Sequence, residues 1–139
     1  MIKILILLVV LFGYQAQINA QVIDTLKYLQ SIVACKTQYI GKPFSVLLKD
    51  LKIPIKYFSP HASIHYAKDS ETSTTLSFYF PRTADEIYLT YPSLEIVWKP
   101  YLNTSESLDL FTLYHSVGWN TIIANYYSTG IIYDIRIFE

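Results

Sequence analysis

The spacing of apolar residues changes once along the chain, at about Pro54. Before this position, apolar residues recur every three or four positions in residues 22–36 and again in residues 44–51. This spacing is typical of amphipathic helices. Asp24 stands in the first turn of the first segment, where the helix dipole favours a negative charge, and Pro43 suits the first position of the second. We therefore expect two N-terminal helices.

After Pro54 the repeat shortens to two, and β-branched and aromatic residues dominate as far as the C-terminus. Both features are typical of strands. Residues 59–60 and 68–74 are interpreted as a turn and a polar loop, and residues 128–130 as a tight hairpin connection between the last two strands. The predicted strands comprise residues 55–58, 63–67, 75–80, 86–90, 94–98, 121–127 and 131–138.

Residues 108–117 fit two patterns. Leu108 and Leu110 could line one side of a strand, whereas Leu110, Leu113 and Val117 fit one face of a helix. We favour a short helix or turn here, and the strand stays an alternative. The order of elements predicts an α+β fold in which two N-terminal helices pack on one face of an antiparallel sheet of five to seven strands.

The first twenty residues have the pattern of a signal peptide. Lys3 precedes an unbroken apolar run at residues 4–12, and several polar residues follow it. The run is much shorter than the roughly 20 residues that a membrane-spanning helix needs. We expect cleavage after Ala20, and no cysteine follows there for a lipid anchor. The predicted mature chain, residues 21–139, is a single exported domain without a transmembrane span, soluble in a periplasm or outside the cell.

Charge argues against a nucleic-acid partner. The chain has 11 basic and 11 acidic residues, its arginines are Arg82 and Arg136 alone, and it has no basic run. Nucleic-acid binders neutralise phosphates with clustered Lys and Arg. Hydrophobic residues make up 52% of the chain and charged residues 16%, against about 25% charged in an average domain, which excludes a wholly disordered protein.

His61 and His65 are the residues most like metal ligands. A spacing of four places both on one face of a helix or a strand, and His115 or a carboxylate could complete a set. The three residues between them include no acid, so the glutamate of the zinc-protease pattern is missing. Solvated histidines of a strand or loop are the favoured interpretation, and the sequence predicts no cofactor.

Residues with catalytic potential have no recognisable arrangement. Cys35 stands among apolar neighbours of the first predicted helix, which predicts a buried and inert thiol. The Gly-x-Ser-x-Gly pattern of serine hydrolases is absent. The carboxylate pairs Asp69 with Glu71 and Asp85 with Glu86 are interpreted as solvated, ionised side chains of polar loops. These features favour a non-enzymatic protein.

Tyrosine is abundant, with 13 residues in the chain. The predicted strands place Tyr79, Tyr88 and Tyr127 opposite the core face, whereas Tyr133 shares its side with core residues. Tyrosine offers broad apolar area and a hydroxyl, and recognition surfaces are enriched in it. The alternative is that tyrosine favours strands and simply covers the open face of the sheet.

Seven residues from Tyr39 onward read Tyr-Ile-Gly-Lys-Pro-Phe-Ser, and leucines follow at positions 47, 48 and 51. This segment resembles small exported proteins of Bacteroidota, in which it would start a helix. The order of helix, helix and antiparallel sheet is similar to exported modules such as outer-membrane assembly lipoprotein E and β-lactamase inhibitor proteins. The second resemblance implies a module that binds other proteins, although this chain lacks the lipidation cysteine of the lipoproteins. Neither resemblance assigns a functional residue.

The sequence thus predicts an exported, non-enzymatic interaction module. Its partner would be a protein or glycan of the envelope or the extracellular space. The binding surface would be the tyrosine-bearing sheet face or a loop at residues 99–107. The alternative is a cell-envelope hydrolase or ligand-binding protein that uses His61, His65 or His115 as a base.

Overall fold

A computed structural model describes residues 24–62, 68–80 and 91–138 of the chain. In these ranges the fold is α+β and combines helices with one antiparallel sheet, as predicted for the class. The helices are α1 (Thr25–Ala34), α2 (Phe44–Asp50), α3 (Thr104–Tyr114) and α4 (Thr121–Ser128), and the strands are β1 (Tyr57–Ala62), β2 (Ser70–Ser77), β3 (Ser93–Asn103) and β4 (Ile132–Phe138). A 3-10 turn, Lys36–Gln38, follows α1.

The sheet has the strand order β1-β2-β3-β4, and each neighbouring pair is antiparallel. One face is apolar, because cross-strand rows such as Phe58, Leu76 and Leu94 are almost completely buried. The helices cover this face: α3 packs against β1, β2 and β3, while α2 contacts α4. The other face carries polar rows, including Thr75 opposite Glu95.

Side-chain caps explain where three of the helices begin. Asp24 Oδ1 accepts a hydrogen bond from Lys27 N at 3.2 Å at the start of α1. Asn103 Oδ1 accepts from Ser105 N at 2.9 Å before α3, and Asn120 Oδ1 accepts from Ile122 N at 2.9 Å before α4. Each cap satisfies a backbone donor that has no partner inside its helix.

The described residues do not match the predicted numbers of elements. The described residues contain four strands rather than five to seven, and four helices rather than two. The main error is the strand predicted at residues 121–127, which is α4. Helical spacing buries Ile123 and Tyr127 together on one side, and the Asn120 cap starts the turn. Residues 128–130 therefore connect a helix to β4 and are not a hairpin turn.

Two predicted breaks in β structure are also wrong. β1 runs through Ser59 and Pro60, since an edge strand tolerates a proline whose missing N–H faces away from its neighbour. The predicted polar loop at residues 68–74 overlaps β2, which begins at Ser70. Residues 108–114 belong to α3, and the last strand is confirmed as β4. The predicted signal peptide and the strands predicted at 63–67 and 86–90 lie outside the described residues.

Across the three described ranges, no helix has both the length and the apolar character needed to cross a membrane.

Candidate functional site

The candidate site is an aromatic groove along the C-terminal half of β3. It encloses about 630 Å³. Both tyrosines of its lining, Tyr101 and Tyr133, are more than half exposed, at 55% and 53%. Its lining consists of Val97, Trp98, Lys99, Pro100, Tyr101 and Tyr133. We call this site the β3–β4 groove.

An irregular pairing of β3 with β4 shapes the groove. Val97 pairs with Asp134 and Trp98 with Ile132, so that Tyr133 has no residue opposite it in the register. A bulge of this kind re-aims side chains, which explains why Tyr133 is exposed rather than in the core as predicted. The Lys99–Pro100 peptide bond is cis, and Lys99 N donates to Ile131 O at 3.1 Å.

Lys99 supplies the positive charge of the groove. Its Nζ lies 5.1 Å from the centroid of the Tyr133 ring, within the range of a cation–π contact. Because the side chain is exposed, the ammonium group is also free to meet an acidic partner. The groove therefore offers tyrosine rings, a proline and one cation to a ligand.

Trp98 is the buried member of the lining, with 1% of its surface exposed. Its indole stacks on the ring of Tyr127, with centroids 5.7 Å apart and planes 17° from parallel. Trp119 stacks on Tyr127 as well, at 6.0 Å, and Phe44 meets Trp98 edge-on at 5.6 Å. Aromatic packing of this density fixes the position of β3 where the groove begins.

A buried carboxyl group lies beside this aromatic cluster. Glu71 of β2 is fully buried, and its Oε1 accepts a hydrogen bond from Tyr127 OH at 2.9 Å and another from Thr74 Oγ1. Thr74 Oγ1 in turn accepts from Trp98 Nε1 at 2.8 Å. The prediction that Glu71 is a solvated loop carboxylate is therefore wrong.

Burial raises the pKa of Glu71, and the hydroxyls of Thr74, Ser107 and Tyr127 offset part of this shift. Burial also raises the pKa of Tyr127, to which the nearby Glu71 contributes. For Tyr126 the same two causes raise the pKa to about 12. Both tyrosines therefore stay neutral at physiological pH.

The structure does not bring the predicted tyrosines together. Tyr127 is fully buried, because α4 turns it towards the core and not towards an open sheet face. Tyr79 is half-buried just after β2, and its ring lies 4.5 Å from that of Tyr91. Tyr88 lies outside the described residues.

The histidines give no metal or catalytic constellation in the part that the structure describes. His61 is exposed, and its Nε2 lies 2.9 Å from Thr75 Oγ1 on the polar sheet face. Partial desolvation lowers the pKa of His61, and the nearby Glu95 opposes the shift. His115 Nδ1 is paired with Thr112 O of its own helix, whereas His65 lies outside the described residues. Within those ranges, no three His, Cys, Asp or Glu side chains are grouped to hold a metal ion.

Cys35 is exposed and not buried as predicted. Helix α1 ends at Ala34, and Cys35 is its C-terminal cap, so the chain leaves the helix before the stripe formed by Leu29 and Ile32 continues. The thiol therefore lies outside the core.

Sequence reasoning missed the central residues of the groove and of the buried cluster. Tyr101 and Lys99 fall in the predicted loop at residues 99–107, a possible binding segment for which no pattern singles them out. The loop prediction is wrong, because these residues are the end of β3 and the first turn of α3. Glu71 is assigned to a polar loop, and its burial is not predicted, because the register of β2 shifts between Glu71 and Ser73. Strict alternation cannot reveal that Glu71 and Thr74 share the buried side.

Comparisons with known proteins agree on one result: the chain matches no family model, no curated protein and no solved structure.

Proposed function

We propose that this protein is an exported, non-enzymatic interaction module that binds a partner protein through the β3–β4 groove. The observation that supports it is the pair of exposed tyrosines, Tyr101 and Tyr133, in one groove with the Lys99 cation. Tyrosine is among the residues enriched at protein-binding surfaces and at their energetic hot spots. Export rests on the predicted signal peptide at residues 1–20.

The chemistry of the groove suggests which part of a partner it would hold. Rings and a proline suit an apolar or aromatic side chain, while Lys99 suits a carboxylate next to it. We therefore propose that the partner inserts a segment with an apolar residue beside an acidic one. A glycan would use the rings but would gain less from the cation.

Affinity capture from the envelope and extracellular fractions of the producing cells tests the proposal. The groove variant combines Tyr101→Ser with Tyr133→Ser. A matched control combines Tyr79→Ser with Tyr91→Ser, a second tyrosine pair away from the groove lining. We expect the wild type and the control to capture the same protein and the groove variant to lose it, at a nearly unchanged melting temperature.

Three results would contradict the proposal or a part of it. Equal capture by the groove variant would remove the groove from consideration. Loss of capture in the Tyr79 and Tyr91 variant alone would move the binding surface to that pair. Recovery of a glycan instead of a protein would leave the groove in place and overturn the class of partner.

A further inference from the structure

Glu71 has its hydrogen-bond donors on one oxygen only. Both Thr74 Oγ1 and Tyr127 OH donate to Oε1, whereas Oε2 is buried and has no partner. An ionised carboxylate carries equal charge on both oxygens and gains by sharing donors between them. In a neutral carboxylic acid, by contrast, one oxygen is a pure acceptor and the other carries the proton. Either form leaves Oε2 without a partner, but an unpaired O–H in a buried site costs far less than an unpaired charge, so the geometry favours the neutral acid.

No cation compensates a charge at this position in the described ranges. The ion pairs found there join Asp134 to Lys36 and to Arg136, and neither involves Glu71. Placing an unpaired carboxylate in such a site is costly, and a buried acid usually takes up a proton instead.

In the part of the chain that the structure describes, the ionisable groups linked to Glu71 are two tyrosines and, through one of them, a second glutamate. Glu71 raises the pKa of Tyr127 and of Tyr126 on α4, and Glu106 of α3 also raises the pKa of Tyr126. From β3 the cluster meets Trp98, and from α3 the hydroxyl of Ser107, which do not titrate in the physiological range. Glu71 is thus the group of this cluster whose charge can change between acidic and mildly alkaline pH.

We propose that Glu71 is an uncharged carboxylic acid in the folded protein, and that its hydrogen bonds through Thr74 to Trp98 hold the β3–β4 groove in shape. Loss of the proton would leave a buried charge, loosen the contact of β2 with Trp98, and weaken the groove. The effect on binding rests on the proposed function of the groove, whereas the protonation state of Glu71 does not.

The sign of the pH effect follows from linkage. The pKa of Glu71 is higher in the folded than in the unfolded chain, so its contribution to stability is complete below the ordinary carboxyl range. That contribution is lost as the pH rises through the raised value. Stability and groove order should therefore fall from acidic towards mildly alkaline conditions.

The first experiment compares melting temperatures at about pH 5 and about pH 8.5, below the range in which tyrosine titrates. Glu71→Gln mimics the neutral acid, with an acceptor oxygen and a donor in place of Oε2. Glu106→Gln is the matched control, since Glu106 is exposed on α3. We expect the wild type and Glu106→Gln to lose several degrees at the higher pH, and Glu71→Gln to lose clearly less.

The proposal would be overturned if the melting temperature of the wild type did not fall between the two pH values while Glu71→Gln was destabilised equally at both. A second measurement needs no variant: the side-chain carboxyl ¹³C shift of Glu71 in the wild-type protein. At about pH 6 we expect the shift of a protonated acid, and the shift of a carboxylate would overturn the proposal.

The groove is followed through the indole N–H resonance of Trp98, assigned with Trp119→Phe. It should move with the same midpoint as the Glu71 carboxyl in the wild type and stay constant in Glu71→Gln. An indole signal that ignores the Glu71 titration would refute the link to the groove. If the Glu71 carboxyl titrates as expected but no partner is captured, the proposed function alone is rejected. If a partner is captured but Glu71 is ionised at about pH 6, the proposal of an uncharged Glu71 alone is rejected.

Discussion

The indole Nε1 of Trp98 on β3 donates to Thr74 Oγ1 on β2 at 2.8 Å. Through this bond the residue at the base of the β3–β4 groove is tied to a hydroxyl that also donates to the buried Glu71. The Thr74 side chain thus contacts both Trp98 of the β3–β4 groove and the buried carboxyl group of Glu71. The stability of the sheet and the shape of the groove should depend on the same contacts.

Thr74→Val removes this hydroxyl at nearly constant volume. It leaves the indole N–H of Trp98 without its acceptor and Glu71 with one donor fewer, both in buried surroundings. We expect the free energy of unfolding, measured in urea, to fall by on the order of 2 kcal/mol.

Thr75→Val is the matched control for Thr74→Val. The Thr75 hydroxyl is paired with the exposed His61, which water can solvate once the hydroxyl is gone. The control should lose clearly less stability, and an equal loss in both variants would show that the Thr74 hydroxyl has no special role.

Leu47→Ala tests how α2 is anchored. Leu47 is fully buried whereas its neighbour Leu48 is only half-buried, although the sequence placed both in the apolar stripe. We expect Leu47→Ala to cost about 2–5 kcal/mol of unfolding free energy and Leu48→Ala less. Chemical denaturation of both variants measures the difference, and the reverse order would mean that α2 is rotated about its axis.

Gly118→Ala should destabilise the fold more than Gly41→Ala. Both glycines have positive φ, 80° and 78°, so alanine costs about 1–2 kcal/mol at either position. A Cβ at Gly118 would also lie 2.3 Å from Lys56 O, whereas at Gly41 it meets nothing within 4 Å. The clash should add roughly 1–3 kcal/mol in thermal or urea unfolding. Equal costs would show that the turn before α4 is looser than described.

Acid should weaken the contact between the 3-10 turn and β4. Burial alone would raise the pKa of Asp134, but hydrogen bonds from Lys36, Arg136 and the Ile135 N–H outweigh it, so that the pKa is lowered. The stabilising contribution of Asp134 is therefore present above the ordinary aspartate range and is lost as the pH falls through the lowered value.

Asp134→Asn should remove that part of the acid sensitivity. At neutral pH it should cost about 0.5–1 kcal/mol, because the pair is partly exposed and screened by solvent. Asp109→Asn, an exposed site on α3, is the control in unfolding experiments across the acid range. An unchanged acid profile in the Asp134 variant would contradict this assignment.

The sequence pattern was sufficient to locate a helix or strand where the spacing of apolar residues fitted one type of element only. Three- and four-residue spacing located the segments of α1 and α2, and alternation located β4. It failed at residues 121–127, where β-branched and aromatic residues favour a strand, but the Asn120 cap and the burial of Tyr127 favour a helix. Tertiary packing overrides local preference there.

The candidate site was less predictable for a different reason. The exposed Tyr133 and the buried Glu71 each lie beside a register shift, one between β3 and β4 and the other between β2 and β3. A shift of one residue exchanges the two faces of a strand, and the hydropathy pattern carries no mark of it. Residues that an alternating pattern assigns to one face therefore lie on the other.

Site-specific photo-crosslinking in the producing cells tests the central claim most directly. A photoreactive phenylalanine analogue replaces Tyr101 or Tyr133 in the groove and, as the control, Leu113, which is strongly exposed on α3. The account predicts one adduct of the same size from both groove positions and none from Leu113. Adducts from Leu113, with none from either groove position, would contradict it.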